Sequence, residues 1–171
     1  MKGTVHYEVK DGVAILTVDN PPVNPLSDGV RAGFVNNIDK AENDPDVLGV
    51  VLTGAGRSFI AGADISEFGK NPDGPGLDEA FRKLEFCSKP VVAAINGSAL
   101  GGGLETALVC NYRIAGPAAF VGLPEVNLGL LPGAGGTQRL PRLVGPAEAL
   151  KMMLTGTVSY THLRAHETFA N

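Results

Sequence analysis

Apolar residues along this chain fall into short runs that predict β-strands. Residues 4–9 and 13–18 are rich in β-branched and aromatic side chains, and Asp11-Gly12 lies between them, which predicts an antiparallel hairpin. Residues 47–53 and 91–95 are almost continuously apolar, as expected for strands covered on both faces. The pattern therefore predicts one hairpin and two buried strands.

Apolar positions spaced three or four residues apart predict helices between the strands. Two such stripes stand out: Val30, Phe34 and Ile38, then Leu77, Phe81 and Leu84. Ser27 stands where it can cap the first of these helices. Further helices are predicted at about residues 102–110 and 146–154, and further short strands at 112–115 and 119–121. Strands thus alternate with helices, which predicts βαβ crossovers, a mostly parallel sheet and an α/β fold.

Composition narrows the class of protein. With 171 residues, 44% of them hydrophobic, the chain can form one domain with a substantial core. A formal net charge of −4 argues against nucleic acid as a partner, and neither a basic run nor a long apolar stretch points to a membrane. Cys87 and Cys110 lie in apolar patterns without metal-ligand spacing. We therefore expect free thiols in a reducing compartment, and cytoplasm is the predicted location.

Two carboxylates, each beside a glycine-rich turn, are the candidate catalytic groups. Glu105 follows Gly101-Gly102-Gly103, and Glu125 precedes the glycine-rich residues 129–137. A glycine-opened helix start leaves N–H groups unpaired and lets the backbone approach a ligand closely. A carboxylate within a turn of such groups can move protons while they hold a developing negative charge. The pattern indicates an active site.

These features also have structural explanations. The three glycines can serve close packing of the turn against a neighbour, and Glu125 can be a solvated loop charge. A dinucleotide fingerprint is excluded because the third glycine is missing, and Gln138 stands where a phosphate-binding loop needs lysine. Residues 58–64 follow a predicted strand, where open α/β sheets bind ligands. The alternative for them is a structural loop closing onto a helix that Asp64 caps.

A metal site near the end of the chain is the weaker alternative chemistry. His162 and His166 are four residues apart, with Glu167 adjacent, so they could share one helix face and a metal ion. No third ligand is indicated, so no metal is expected.

Three motifs, in order along the chain, resemble one known family. They are Ser-Phe-Ile-Ala-Gly-Ala-Asp-Ile at 58–65, Ile-Asn-Gly-Ser-Ala-Leu-Gly-Gly-Gly-Leu-Glu at 95–105, and Leu-Pro-Glu-Val-Asn-Leu-Gly-Leu-Leu-Pro-Gly-Ala-Gly-Gly-Thr-Gln-Arg-Leu at 123–140. Residues 4–156 resemble the enoyl-CoA hydratase/isomerase, or crotonase, superfamily. Asn-Pro-Pro-Val-Asn-Pro-Leu-Ser at 20–27 further resembles the hydratase part of multifunctional fatty-acid oxidation proteins, in which a 3-hydroxyacyl-CoA dehydrogenase follows.

The resemblance implies a fold and a set of site residues. The fold is a spiral of ββα turns, assembled as homotrimers or hexamers. The N–H groups of Ala63 and Gly102 would bind the thioester oxygen of an acyl-CoA, and Glu105 and Glu125 would flank the reacting water. Residues implied to position substrate or water are Ala61 (near the CoA adenine), Gly62, Asp64, Ile65 and Gly133.

The resemblance implies reversible syn addition of water to a trans-2-enoyl-CoA, giving a 3-hydroxyacyl-CoA in fatty-acid β-oxidation, without metal or redox cofactor. A Δ3-Δ2-enoyl-CoA isomerase and a non-catalytic acyl-CoA-binding fragment remain the alternatives. Cytoplasm is expected, or the peroxisome for a eukaryotic protein.

The end of the chain departs from the family pattern. After residue 157 the sequence matches no crotonase pattern, so residues 158–171 are expected to be a non-native tail. Residues 1–157 would then be a hydratase core without the C-terminal helical part. An exposed apolar surface and an incompletely closed pocket are expected to follow.

Overall fold

The first two strands form the predicted hairpin. A computed structural model describes residues 2–69 and 74–160. Strand β1 (Thr4–Lys10) pairs antiparallel with β2 (Val13–Asp19) over their whole length. Asp11 and Gly12 at the turn have φ values of 51° and 78°, which is the geometry that an Asp-Gly hairpin turn requires.

The remaining elements alternate along the chain as the sequence predicts. The strands are β3 (Gly49–Gly54), β4 (Ser58–Ala61), β5 (Val91–Ile95), β6 (Ser98–Leu100), β7 (Tyr112–Ala115), β8 (Phe120–Gly122) and β9 (Val158–Tyr160). The α-helices are α1 (Asp28–Asn43), α2 (Leu77–Glu85), α3 (Gly102–Val109), α4 (Gly136–Val144) and α5 (Pro146–Thr155). Two 3-10 helices, Ile65–Glu67 and Pro124–Leu128, lie in the connections.

Two sheets run side by side through the molecule. The first has the order β1-β2-β3-β5-β7 and is parallel from β2 onward. The second has the order β4-β6-β8-β9, with its first three strands parallel. Each pair β3–β4, β5–β6 and β7–β8 thus gives one strand to each sheet before a helix follows. This repeating ββα turn confirms the predicted crotonase-like α/β spiral.

The pattern of apolar residues does not predict strands β4 and β6. Both strands are short and contain few alternating polar positions, so a period-two pattern cannot be seen in them. The prediction that β3 and β5 are covered on both faces was wrong. In both strands the residues alternate between buried and partly exposed, so one face is covered and the other is only half covered.

The helices confirm most of the apolar stripes. In α1, Val30, Phe34 and Ile38 are fully buried, and α2 buries Phe81 and Leu84. Helix α4 was not predicted, because it begins at a glycine-rich turn and contains Pro141. Ser27 precedes α1 but does not cap it with its side chain. Its hydroxyl donates instead to the Lys2 carbonyl, because the N-terminal segment lies against the start of α1.

The start of α3 packs directly on the backbone of β4. A Cβ on Gly103 would overlap the carbonyl oxygen of Ile60. The packing explanation for the glycine run therefore holds for Gly103. The contact brings the start of α3 next to the loop that follows β4.

The segment predicted to be a non-native tail starts at residue 158. Its first three residues form β9, which pairs antiparallel with β8. Residues 161–171, including His162 and His166, lie outside the described residues, so the origin of the segment stays a prediction. No helix in residues 2–69 and 74–160 has the length and apolar character needed to cross a membrane.

Gly103→Ala is expected to lower the free energy of unfolding by roughly 3 kcal/mol, the upper end of the usual cost of overpacking, because the new methyl group overlaps main-chain atoms. Urea denaturation measures the change. Gly76→Ala is the matched control, since a Cβ at Gly76 meets open space. Equal stability of the two variants would show that α3 and β4 are not in close contact.

Candidate active site

A cavity of about 630 Å³ lies between the end of β4, the start of α3 and the loop before α4. Eight of the nine residues predicted for the site line it: Ala61, Gly62, Ala63, Ile65, Gly102, Glu105, Glu125 and Gly133. Asp64 is not among the lining residues. The three sequence motifs, far apart along the chain, therefore meet at one cavity.

Two main-chain N–H groups without a partner in residues 2–69 and 74–160 belong to neighbouring residues that line this cavity. Gly102 is the first residue of α3, so its N–H has no acceptor within the helix. Ala63 follows β4, and its nitrogen lies 3.6 Å from the position that a Cβ of Gly102 would occupy. Neither N–H donates a hydrogen bond within the described part of the chain. The pair is available to an acceptor on a ligand.

Gly101 shapes the turn that presents the Gly102 N–H. Its φ of 53° and ψ of −125° form a conformation that residues with a side chain rarely adopt. A Cβ there would also lie 2.9 Å from Oε1 of Glu125. Glycine is required at this position both by the backbone and by the approach of the Glu125 carboxylate.

Glu105 is held by the start of another helix. Its side chain is 3% exposed, and Oε1 accepts hydrogen bonds from the N–H groups of Ala134 (2.9 Å) and Gly136 (2.8 Å). These donors belong to the turn that opens α4, where unpaired N–H groups favour negative charge. Sequence reasoning assigned a role to Gly133 and missed these two donors. The glycine-rich run 133–136 was the signal that could have found them.

Glu125 has a different environment. It lies on the 3-10 helix Pro124–Leu128, and its Oε2 is buried with no hydrogen-bond partner among the described residues. Burial raises the pKa of the Glu125 carboxyl, and the nearby charge of Glu105 raises it further. The cavity therefore holds one carboxylate fixed by two donors and another whose charged form is disfavoured.

Asp64, which is predicted to position substrate or water, is not among the residues that line the cavity. Its Oδ1 accepts from the Ser66 N–H at 3.0 Å, which caps the 3-10 helix Ile65–Glu67. Its Oδ2 accepts from Lys2 Nζ at 2.9 Å. The hydrogen bond from Lys2 lowers the pKa of Asp64, with Ser66 contributing. The structural alternative, a loop closing onto a capped helix, describes this side chain.

The remaining wall is mostly apolar. Its side chains include Phe68, Leu77, Phe81, Leu128, Leu130 and Leu131. An ion pair between Arg139 and Glu85 (2.7 Å) joins α4 to α2 at the same wall. The contribution of α2 was missed, because its apolar stripe predicts burial in a core and gives no sign of a cavity.

The two cysteines lie away from the cavity. Cys87 and Cys110 are free, and burial raises the pKa of the Cys110 thiol to about 12. Neither lines the cavity. In residues 2–69 and 74–160, no group of three or more His, Cys, Asp or Glu side chains could hold a metal ion.

Known proteins are similar to this chain in sequence. The family model described as Enoyl-CoA hydratase/isomerase matches residues 8–167. The Peroxisomal bifunctional enzyme of Danio rerio is 52% identical over 162 residues, which is 94% of this chain and 22% of that protein. A Probable enoyl-CoA hydratase of Bacillus subtilis is 47% identical, over 89% of this chain and 62% of that protein.

Solved structures have a similar fold. An enoyl-CoA hydratase from Bacillus anthracis has a TM-score of 0.86 at 34% identity, covering 94% of this chain and 66% of the other. The chain thus spans about a fifth of the bifunctional relative and under two thirds of the Bacillus subtilis protein.

Glu125→Gln is expected to stabilise the fold at neutral pH, because it removes a charge that burial disfavours. The folded chain holds the Glu125 proton more tightly than the unfolded chain. Wild-type stability is therefore lost as pH rises from the ordinary glutamate pKa to the raised one. Urea denaturation across pH measures the gain, which should vanish below about pH 4.

Glu79→Gln is the control, since Glu79 is exposed on α2 and outside the cavity. It should change stability little at any pH. A Glu125→Gln variant that is less stable than the wild type at neutral pH would contradict the described environment of this carboxyl.

Proposed function

Because the chain belongs to the enoyl-CoA hydratase/isomerase family, we propose that it hydrates a trans-2-enoyl-CoA to a 3-hydroxyacyl-CoA by reversible syn addition of water. The substrate is an acyl-CoA thioester, and no metal or redox cofactor takes part. One observation carries the proposal: two unpaired N–H groups and two carboxylates of unlike environment share one largely apolar cavity.

The N–H groups of Ala63 and Gly102 would donate hydrogen bonds to the carbonyl oxygen of the thioester. Attack of water on the β-carbon of a conjugated thioester moves electrons onto that oxygen and forms an enolate. Two fixed donors stabilise the oxyanion more than the neutral carbonyl, and loss of one such donor typically costs roughly 3–4 kcal/mol of barrier. The position of Gly102 at the start of α3 adds the favourable end of the helix dipole.

The environments of the two carboxyls support an assignment of roles. Oε1 of Glu105 accepts hydrogen bonds from two N–H groups, which fix the carboxylate in place, and its other oxygen would accept a proton from water. Glu125, with its raised pKa and a buried unpartnered oxygen, retains a proton more readily. It would deliver that proton to the α-carbon.

The atoms balance over one turnover. The water oxygen bonds to the β-carbon, its proton goes to Glu105, and the proton of Glu125 goes to the α-carbon as the enolate collapses. Glu105 is then protonated and Glu125 ionised. Proton exchange with solvent restores the starting state, and the reverse sequence dehydrates the product.

Two further features of the cavity support the proposed hydration. Gly133 lies exposed at the cavity beside the turn that holds Glu105, where an N–H could help position water. Ala61 and Gly62 lie at the end of β4, and Ile65 is 61% exposed at the rim. We assign these residues to the binding of the CoA thioester.

An isomerase is the second candidate, because the matched family model covers both activities. A Δ3-Δ2 isomerisation needs one group that carries a proton between two carbons, and Glu125 suits that role by its raised pKa. It needs no activated water. The firmly held Glu105 carboxylate therefore favours hydration over isomerisation alone.

The location is inferred from a relative, and the assembly from exposed apolar side chains. The Danio rerio relative is named as peroxisomal, so a peroxisome is the proposed location in a eukaryote, and cytoplasm otherwise. We infer a homotrimer or a hexamer. Large apolar side chains on α4 and α5 are exposed in the single chain: Leu143 (55%), Leu150 (53%) and Leu154 (62%).

The wild-type chain is expected to remove the conjugated-thioester absorbance of crotonyl-CoA. Glu105→Gln and Glu125→Gln should each lower kcat by roughly 100-fold or more with little change in KM, because each removes one proton transfer. Glu79→Gln should leave the rate unchanged, since that carboxylate is exposed and outside the cavity.

The same chain is also tested with a 3-enoyl-CoA and for thioester binding. Conversion of the 3-enoyl-CoA without hydration of crotonyl-CoA would assign the isomerase activity instead. Thioester binding with neither reaction would identify a non-catalytic binding fragment.

Sedimentation equilibrium is expected to give a mass of three or six times 17.7 kDa, because assembly would cover the apolar side chains of α4 and α5. A dilution series separates specific assembly from aggregation. A single 17.7 kDa species at all concentrations would rule the assembly out.

A further inference from the structure

Arg31 is a buried charged side chain that the mechanism above does not use. It lies on α1 and is 6% exposed. Its guanidinium donates three hydrogen bonds of 2.8 Å: Nε to the Pro75 carbonyl, and Nη1 both to the Leu26 carbonyl and to Oε2 of Glu67. A guanidinium with this many fixed acceptors holds separate chain segments at set distances.

One of its acceptors, Leu26, lies against both proposed oxyanion donors. The Leu26 N–H donates to the Gly62 carbonyl at 2.9 Å, and Leu26 forms a parallel bridge with Ala63. Its Cδ1 lies 3.0 Å from the position of a Cβ on Gly102. The fully buried Leu26 therefore touches the two residues that carry the unpaired N–H groups.

A second acceptor, Glu67, ends the 3-10 helix that follows Ala63. Its Oε2 receives Arg31, and its Oε1 receives the main-chain N–H of Asp28 at 2.8 Å. Both donors belong to the first turns of α1. The segment from Gly62 to Glu67 is thus tied to α1 at both ends, through Leu26 at the start and through Glu67 at the end.

We propose that Arg31 is a positioning residue that sets the direction of the Ala63 N–H relative to the Gly102 N–H, so that both point at one thioester oxygen. The inference rests on the proposed function and deepens it. Oxyanion stabilisation depends on donors that are fixed before the charge develops. Loosening the segment should therefore slow the chemical step more than it weakens binding of the CoA thioester.

Arg31→Lys tests this, because lysine keeps the charge but cannot reproduce the fork that reaches three acceptors. We expect kcat for crotonyl-CoA hydration to fall roughly 10- to 100-fold and KM to stay within about twofold. Arg113→Lys is the matched control. Arg113 also donates to main-chain carbonyls, those of Ala107 and Cys110, but at the far end of α3. Its kcat should equal that of the wild type.

A spectroscopic measurement separates positioning from a general loss of stability. Butyryl-CoA labelled with carbon-13 at the thioester carbonyl has no double bond to hydrate, and its infrared stretch reports the hydrogen bonds at the carbonyl oxygen. Binding to the wild type and to Arg113→Lys should lower the frequency equally. Binding to Arg31→Lys should lower it less.

If Arg31→Lys does not fold, Glu67→Gln tests the same clamp, because the amide leaves only one oxygen for two donors. It should also reduce the carbonyl shift. A wild-type shift and a wild-type kcat in the folded variants would overturn the proposal. A wild type that shifts the carbonyl without hydrating crotonyl-CoA would end the proposed function, while a smaller shift in Arg31→Lys would still support the role of Arg31.

Discussion

The hydrogen bonds from Ala134 and Gly136 to one oxygen of Glu105 tie the last turn of the spiral to the one before it. The donors open α4 and the acceptor lies on α3, so one buried carboxylate satisfies two N–H groups at a helix start. A buried carboxylate without such partners would be costly, and a helix start without an acceptor would be costly as well. The Glu105 carboxylate and the N–H groups at the start of α4 satisfy each other, and the cavity lies beside these hydrogen bonds.

Each of the three consecutive glycines at 101–103 meets a different structural constraint. Gly101 is required by its backbone angles and by Glu125, Gly102 presents an unpaired N–H, and Gly103 permits contact with the backbone of β4. The packing explanation that the sequence left open holds at Gly103, while the role proposed for the Gly102 N–H belongs to a different position. A motif of identical residues does not imply a single role.

The sequence predicted the fold class and the main helices because their signals are local. Apolar stripes in α1 and α2 and the Asp-Gly turn depend on neighbours along the chain. Strands β4 and β6 owe their existence to pairing with each other across about forty residues, which no short pattern records. Helix α4 also depends on contacts that are distant in sequence. Packing offsets its glycine-rich start and its internal Pro141, which both disfavour a helix.

The candidate site was predictable where the family motifs name the residue. Glu105, Glu125, Ala63 and Gly102 do line one cavity. Asp64 does not line the cavity, because Lys2 and Ser66 hold its side chain. A motif gives the position of a residue but not the direction of its side chain. The clamp formed by Arg31 was invisible, because its acceptors are largely main-chain carbonyls that any residue supplies.

The contact between Gly103 and Ile60 has a consequence for how the protein can vary. No side chain lies between α3 and β4 there, so the separation of these elements is set by peptide groups alone. Replacing an apolar core residue by one of different size would shift helices and sheets elsewhere. The distance between α3 and β4 would stay nearly constant. Relatives that share the glycine can therefore differ in their core side chains and keep the same distance between the N–H groups of Ala63 and Gly102.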